Sequence, residues 1–232
     1  MHKNDGKDYI YVIWKEPETR RQYTVGELVK NGNYKFSYGY EVEKAIKKGF
    51  KGLICFEDFK ETYYSDVLFP AFSSRLPDER RRGIERILKR YGLEKYDAYE
   101  LLKRSGAKLP IDNLEFIDPL PDEANENIER CFYIAGTRHY IGCEGKCCDK
   151  SVKIEKGDTL NLVLESDNKY DHNAIMVYDE LRNHIGYIPR YYSELLTNFI
   201  KKDYDCHCEV YFVNKENNCN ECIKAKLIIK AK

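Results

Sequence analysis

ESDNKYDHNAIMVYDELRNHIGYIPR, residues 165–190, opens with polar, turn-forming residues and one tyrosine. It runs through Asp171 and Asn173 into the apolar Ala174, Ile175, Met176 and Val177, and closes on Ile185, Gly186, Tyr187, Ile188 and Pro189. The pattern is two strands leaving one crowded polar turn. A rigid β scaffold fixes such a turn while leaving its side chains exposed, so Tyr170 and Asp171 are candidate binding groups. An architectural role suits the same positions: Asp171 and Asn173 form turns by bonding nearby backbone, and Tyr170 can pack over the end of a barrel. Asn173 is read as structural.

Working outward, residues 131–142 (CFYIAGTRHYIG) read as a strand entering a polar turn, and residues 160–165 as another strand after the turn at Lys156-Gly157-Asp158. Ser193 caps a short helix reaching Lys201, and residues 210–213 and 223–229 form a closing hairpin. Short strands at this spacing with one short helix predict a small OB-like, Greek-key β-barrel, an architecture often used to hold single-stranded nucleic acid. Gly136, Gly142 and Gly186 are assigned to backbone geometry.

The nine cysteines suggest a second candidate site. Cys143, Cys147 and Cys148 share one loop, Cys206 and Cys208 flank a histidine, and Cys219 and Cys222 have the spacing of a zinc knuckle. Two such pairs can complete a tetrahedral zinc site, and scattered reduced thiols are the alternative. The amino terminus carries no signal-peptide pattern, and no apolar run approaches the roughly 18 residues of a membrane span, so a soluble cytoplasmic protein is expected. Lys plus Arg and Asp plus Glu both total 39. From Ile128 onward there are 16 of each sign, so any nucleic-acid contact must come from a local constellation rather than a broad basic face. Twenty tyrosines supply rings suited to core, interface or stacking.

In the first half, residues 9–14 (YIYVIW) read as a buried strand, and residues 22–38 as a hairpin turning at Asn31-Gly32. A short helix over residues 41–48 ends before Gly49, and residues 53–56 read as another strand. Residues 76–92 (LPDERRRGIERILKRYG) predict a helix with Pro77 at its start, and residues 95–106 predict a second, making a helical hairpin. Arg75, Arg80, Arg81, Arg82, Arg86, Lys89 and Arg90 form a basic cluster, open to two readings: a solvated helix face, or a seat for a phosphate or a partner carboxylate. The proline-bracketed acids near residues 118–123 mark a boundary. The expected class is therefore α+β. Residues 1–119 hold a small sheet with a helical hairpin, residues 120–127 a linker, and residues 128–232 the barrel.

Four motifs carry a resemblance. They are Phe132-x3-Gly136-x-Arg138-His139-Tyr140-x-Gly142; Gly157-Asp158-x-Leu160-x-Leu162; Asn168-Lys169-Tyr170-Asp171-x-Asn173-Ala174-Ile175-x-Val177; and Ile185-Gly186-Tyr187-Ile188-Pro189-Arg190. In this order they are similar to the HIRAN domain, whose members of the helicase-like transcription factor type bind the 3′-hydroxyl end of single-stranded DNA. The resemblance implies that Tyr170 and His139 stack terminal bases and that Asp171 accepts a hydrogen bond from the 3′-hydroxyl. Arg138, Lys169 and Arg190 would lie near phosphates, with Tyr187 completing the set. His139 and Lys169 depart from the eukaryotic pattern, which has tyrosine and usually proline there; histidine still stacks, over less area.

VGELVKNGNYKFSYG (residues 25–39) followed by FPAFSSRLPDERRRGIERILKRYGLEKYDAYELLKRSG (residues 69–106) resembles the small N-terminal subdomain of HipA-type kinases. That resemblance implies a regulatory part that engages a protein partner, a HipA-like kinase among the candidates, as in toxin–antitoxin regulation. The kinase body's own signatures are missing: no Gly-rich phosphate loop with a lysine, no H-R-D and no D-F-G. The chain is thus expected to be a non-enzymatic, DNA-end-binding regulator. Two alternatives stand beside this reading: a metal-dependent nuclease using Asp171, Asp167 or Glu165, and a pure protein-interaction module.

Overall fold

The apolar run near the amino terminus forms β1 (Asp8–Lys15), which lies inside a sheet rather than at its edge. The structure, a computed structural model, describes residues 8–19, 21–141, 153–213 and 222–232. Contacts divide the chain into two units, Met1–Pro119 and Leu120–Lys232. In the first, β1 pairs antiparallel with β2 (Gln22–Asn31), which turns at Gly32 (φ +77°) into β3 (Asn33–Tyr38). With β4 (Thr62–Ser65) and β5 (Leu114–Ile117) the order is β4-β3-β2-β1-β5. Residues 53–56 make only a single bridge, because Cys55 (φ +71°) turns the chain too tightly to extend as a strand.

Four helices accompany the sheet: α1 (Val42–Ile46), α2 (Pro70–Ser73), α3 (Ile84–Arg90) and α4 (Ala98–Ser105). Phe36, Phe56, Phe72 and Phe116 are fully buried and touch in sequence, with ring centroids 4.5 Å apart for Phe36–Phe56, 5.3 Å for Phe56–Phe72 and 5.2 Å for Phe72–Phe116. Each such pair adds about 0.5–1.5 kcal/mol beyond the area it buries. Helix α4 carries a signal at each end. Asp97 accepts from the amides of Tyr99 (2.9 Å) and Glu100 (3.0 Å), and Gly106 closes it at φ +71°.

Helix α3 is shorter than the sequence pattern predicts. The Asp78 side chain accepts from the Arg80 amide (2.7 Å) and its carbonyl from the Arg81 amide (3.0 Å), so the proline–acid step closes a turn, and the helix starts only after Gly83 (φ +82°). Ile84 and Leu88 of α3 then pack with Leu101 of α4, completing the helical hairpin. Arg75 also differs from expectation, for its side chain is only 6% exposed. It pairs with Asp112 through both terminal nitrogens, donates from Nε to the Ala107 carbonyl (3.0 Å), and lies against the Phe116 ring. Arg80, Arg81, Arg82, Arg86, Lys89 and Arg90 remain exposed.

The second unit contains β6 (Ile128–Tyr133), the single turn α5 (Thr137–Tyr140), β7 (Asn161–Glu165), β8 (Ala174–Tyr178), β9 (His184–Tyr187), α6 (Arg190–Lys201), β10 (Cys206–Val213) and β11 (Ile223–Ile229). They form two antiparallel sheets, β10-β11-β6 and β7-β8-β9. Backbone pairs join the sheets at both sides. Ala135 and Tyr187 exchange hydrogen bonds of 2.8 and 2.9 Å, while Leu160 donates to Cys208 (2.8 Å) and Val210 to Asp158 (2.9 Å). The six strands thereby close into a small barrel, and α6 packs on it through Tyr192 against Phe132 (5.7 Å). Helix α6 begins at Arg190, earlier than the pattern predicts, so Ser193 lies within its first turn rather than capping it. Leu120 and Ala124 are buried, so the segment read as a linker carries apolar anchors. No helix among the described residues is long and apolar enough to cross a membrane.

Burial opposes ionisation of Asp112, but the Arg75 guanidinium outweighs it and holds the carboxyl below its ordinary value of 3.8. Removing one partner of a charged hydrogen bond typically costs roughly 1.5–3 kcal/mol, so Asp112→Ala is expected to lower the urea midpoint of unfolding accordingly. The folded-state value is depressed, so this contribution is present above the ordinary carboxylate range and fades as pH falls through the folded value. The gap between wild type and variant should therefore narrow below about pH 4; a gap unchanged from pH 7 to pH 3 would exclude the ion pair as its source.

Candidate functional site

Glu165 ends β7 and Ala174 starts β8, and the turn between them is fixed by its own side chains. Asn168 Oδ1 accepts from the amides of Tyr170 (2.9 Å) and Asp171 (3.1 Å), while its Nδ2 donates to Glu165 Oε2 (2.7 Å). Asp171 Oδ1 accepts from the Asn173 amide (3.0 Å). With the backbone held in this way, the Tyr170 ring stands 82% exposed and Lys169 beside it is exposed. The turn is tied to α6 twice: Thr197 Oγ1 donates to the Asn173 carbonyl (3.2 Å), and Ser193 Oγ lies 2.7 Å from Asp171 Oδ2. Ser193 Oγ is also 2.8 Å from the Arg190 carbonyl, and its one hydrogen serves either acceptor but not both at once. Asp171 is thus half-buried, with the Asn173 amide on Oδ1, the Ser193 hydroxyl shared between Oδ2 and the Arg190 carbonyl, and lone pairs left over to accept.

Tyr187 reaches the same turn from β9, donating from its hydroxyl to Glu165 Oε2 at 2.9 Å. Burial first, then hydrogen bonds with Tyr140 and Glu165, push its phenol above the usual range, so it stays a neutral donor at any physiological pH. Helix α5 follows Gly136 (φ +75°) and carries Arg138 and His139 into solvent. Arg138 Nε donates to His139 Nε2 at 3.1 Å, which places the ring proton on Nδ1. Tyr140, from the same turn, covers His184 (4.0 Å between centroids) and meets Tyr187 (5.6 Å), and Tyr178 also stacks with His184 (5.1 Å). Arg190 opens α6 half-buried and is engaged by other groups of the protein.

One connected set results: Tyr140 to Tyr187, Tyr187 to Glu165, Glu165 to Asn168, and Asn168 to the amides of Tyr170 and Asp171. Of the residues read from the sequence, Lys169, Tyr170 and Asp171 share the turn, Tyr187 supports it, and Arg138 and His139 join through Tyr140. Asn168, Ser193 and the Tyr140–His184–Tyr178 group were not read as site residues, and Glu165 was read only as a metal ligand of the nuclease alternative. The available signal was the ring content of β8 and β9; their register, irregular after Val177, is what sets Tyr178 opposite His184. Every acid proposed as a metal ligand has a donor: Tyr187 and Asn168 serve Glu165, Ser193 and the Asn173 amide serve Asp171, and Ser166 serves Asp167 (3.1 Å).

The candidate zinc ligands Cys143, Cys147, Cys148 and Cys219 lie outside the described residues, as does Gly142. Burial, then the neighbouring Asp205, pushes the Cys206 thiol up to about 11. Burial and Glu209 push Cys208 up to about 12. Cys222 is buried with its sulfur 3.8 Å from Thr137 Oγ1. These are packed thiols, and among the described residues no three His, Cys, Asp or Glu side chains gather around a metal position.

Residues 131–232 match the family model of the HIRAN domain, and residues 20–110 match that of the HipA N-terminal domain. No curated protein matches the chain. Among solved structures, the chain is similar to the crystal structure of the HIRAN domain of human HLTF, at 18% identity and a TM-score of 0.35, over 46% of this chain and 77% of that one. A protein from Lactobacillus plantarum is 18% identical with a TM-score of 0.34, over 46% and 99%. The NMR structure of the HLTF HIRAN domain in its DNA-bound conformation is 19% identical with a TM-score of 0.31, over 46% and 74%.

Asn168→Ala removes three hydrogen bonds from the turn, worth about 1 kcal/mol each. Amide hydrogen exchange at Tyr170 and Asp171 should accelerate at least tenfold while the strands β7 and β8 stay protected. Unchanged exchange at both amides would show that Asn168 does not hold the turn.

Proposed function

We propose that this chain, whose residues 131–232 match the HIRAN domain model and residues 20–110 the HipA N-terminal domain model, is a non-enzymatic nucleic-acid-binding regulator that recognises the 3′-hydroxyl end of single-stranded DNA. The observation that carries this reading is the turn at Tyr170 and Asp171: a ring 82% exposed, next to a half-buried carboxylate with accepting capacity left over. An exposed ring stacks any base, and a carboxylate accepts from a terminal hydroxyl. Arg138, His139, Lys169 and Arg190 supply cations and a second ring, while Tyr187 and Glu165 keep the turn in place. A 3′-phosphate would confront Asp171 with like charge, whereas a hydroxyl donates to it.

Asp171→Ala is expected to weaken binding of 3′-hydroxyl single strands by about 1.5–3 kcal/mol and to erase preference over 3′-phosphate strands. Tyr170→Ala should weaken both ligands alike, since stacking is worth about 1–3 kcal/mol per base and does not read the end group. Fluorescence anisotropy with the two strand types measures both. Equal wild-type affinity for free and blocked ends would sink the end-recognition reading.

The N-terminal unit, in this proposal, engages a protein partner, a HipA-like kinase being the candidate that its domain match supports. Each unit has its own core and the break falls between Pro119 and Leu120, so both are expected to fold alone. Fragments 1–119 and 120–232 expressed separately should each unfold cooperatively in urea. Aggregation or non-cooperative melting of both fragments would mean that the two units form one folding entity.

A further inference from the structure

Beyond the terminal turn, the outer surface of the barrel carries a row of rings and ammonium groups that the end-recognition reading does not use. Strand register lays it out. Ala135, two residues past the end of β6, pairs with Tyr187 of β9; Tyr133, the last residue of β6, faces Lys224 of β11; and Lys224 faces Phe212 of β10. Residues two apart on a strand share a face, so Tyr133 lies on the same outer surface as Ala135 and Tyr187, and neighbouring strands are about 4.8 Å apart. The register shift between Val210 and Phe212 leaves Tyr211 as an extra residue, and both Tyr211 and Phe212 stand outward, 43% and 48% exposed.

The cations in this row are held over the rings. Lys224 Nζ lies 5.7 Å from the Tyr133 centroid and 5.8 Å from that of Tyr211, and Lys156 Nζ lies 5.9 Å from the Tyr211 centroid. Among the described residues, Glu129 pairs with Lys226 (2.9 Å) and Glu209 faces His207 (3.6 Å) in the next row along the strands, and the Asp158 carboxylate accepts from the Glu155 amide (2.8 Å). Neither Lys156 nor Lys224 has an ion-pair partner among the described residues. Two ammonium groups without an ion-pair partner among the described residues, set beside the half-buried Tyr133 and the exposed Tyr211, fit a ligand that is polyanionic along its length and flat between its charges. A single-stranded nucleic acid has that character; an acidic peptide matches the charge but not the rings.

We infer that the row formed by Tyr133, Lys224, Tyr211 and Lys156 is a second single-strand contact, which carries the body of the strand away from the end held at Tyr170 and Asp171. Lys224 and Lys156 meet phosphates, and Tyr211, with Phe212 beside it, offers stacking surface. This rests on the nucleic-acid reading above and adds a length requirement to it.

The test titrates the full chain with 3′-hydroxyl single-stranded DNA of about three nucleotides and of about 15 nucleotides, the latter near the upper site size of such barrels. The longer strand should bind more tightly. Tyr211→Ala and Lys224→Gln should each weaken it about tenfold while leaving the short strand unchanged. Lys224→Gln should also reduce the slope of log affinity against log salt by about 0.7, and Lys224→Arg should restore it. Thermal unfolding of each variant confirms that the barrel is intact. Wild-type affinity of both variants for the longer strand overturns the row and leaves end recognition standing, as does equal weakening of both lengths with an unchanged salt slope. Loss of the longer strand in the variants, from a wild type that does not hold the short one, supports the row and removes end recognition.

Discussion

The backbone pairing of Ala135 with Tyr187 is the contact on which the barrel and its turn depend. It joins two three-stranded sheets into a ring, and it requires the chains to approach more closely than a side chain permits. A Cβ on Gly186 would sit 2.5 Å from the Ala135 carbonyl oxygen and 2.7 Å from Ile134, at a φ of +149° that L-residues avoid. Closure also decides chemistry. It turns Tyr187 outward, under Tyr140 and within reach of Glu165, so the same hydrogen bonds that complete the ring set the level at which the β7–β8 turn stands.

Within that frame the turn is stabilised by polar groups rather than by packing. Asn168 and Asp171 give their side chains to backbone amides, and Glu165 gathers a phenol and a carboxamide. Such a network holds its shape because each donor has one well-placed acceptor, and a buried or half-buried polar group without a partner is costly. The consequence is a ring, Tyr170, kept in water by the backbone beneath it. A free loop would let that ring fold back onto the nearest apolar surface.

The N-terminal unit spends its buried charge differently. Arg75 is the one arginine of the basic stretch with its side chain turned inward, and it binds the 107–114 segment to the phenylalanine core through Asp112 and two carbonyls. The arginines at 80–82 stay in solvent because the Asp78 turn delays α3 and keeps them off its buried face. Arginines five to seven positions apart therefore have opposite roles.

Local chemistry made much of this legible from the sequence: the Asn31-Gly32 hairpin, a helix ending at Gly106, the order of strands from residue 128 onward, and a turn that presents Tyr170 beside Asp171. Each follows from a rule that acts over a few residues, such as glycine's tolerance of positive φ, side-chain capping or alternation of apolar positions. Contacts between segments far apart in the chain were not legible. His184 and Tyr187 are three residues apart, so alternation along β9 does not turn both outward; the irregular register against β8 does, and only register places Tyr140 over His184 or Tyr133 opposite Lys224. The inward turn of Arg75 depends on Asp112, 37 residues away. A sequence specifies the face a side chain occupies through local geometry; its neighbours are chosen by how distant strands pair, and that pairing exists only once the tertiary structure has formed.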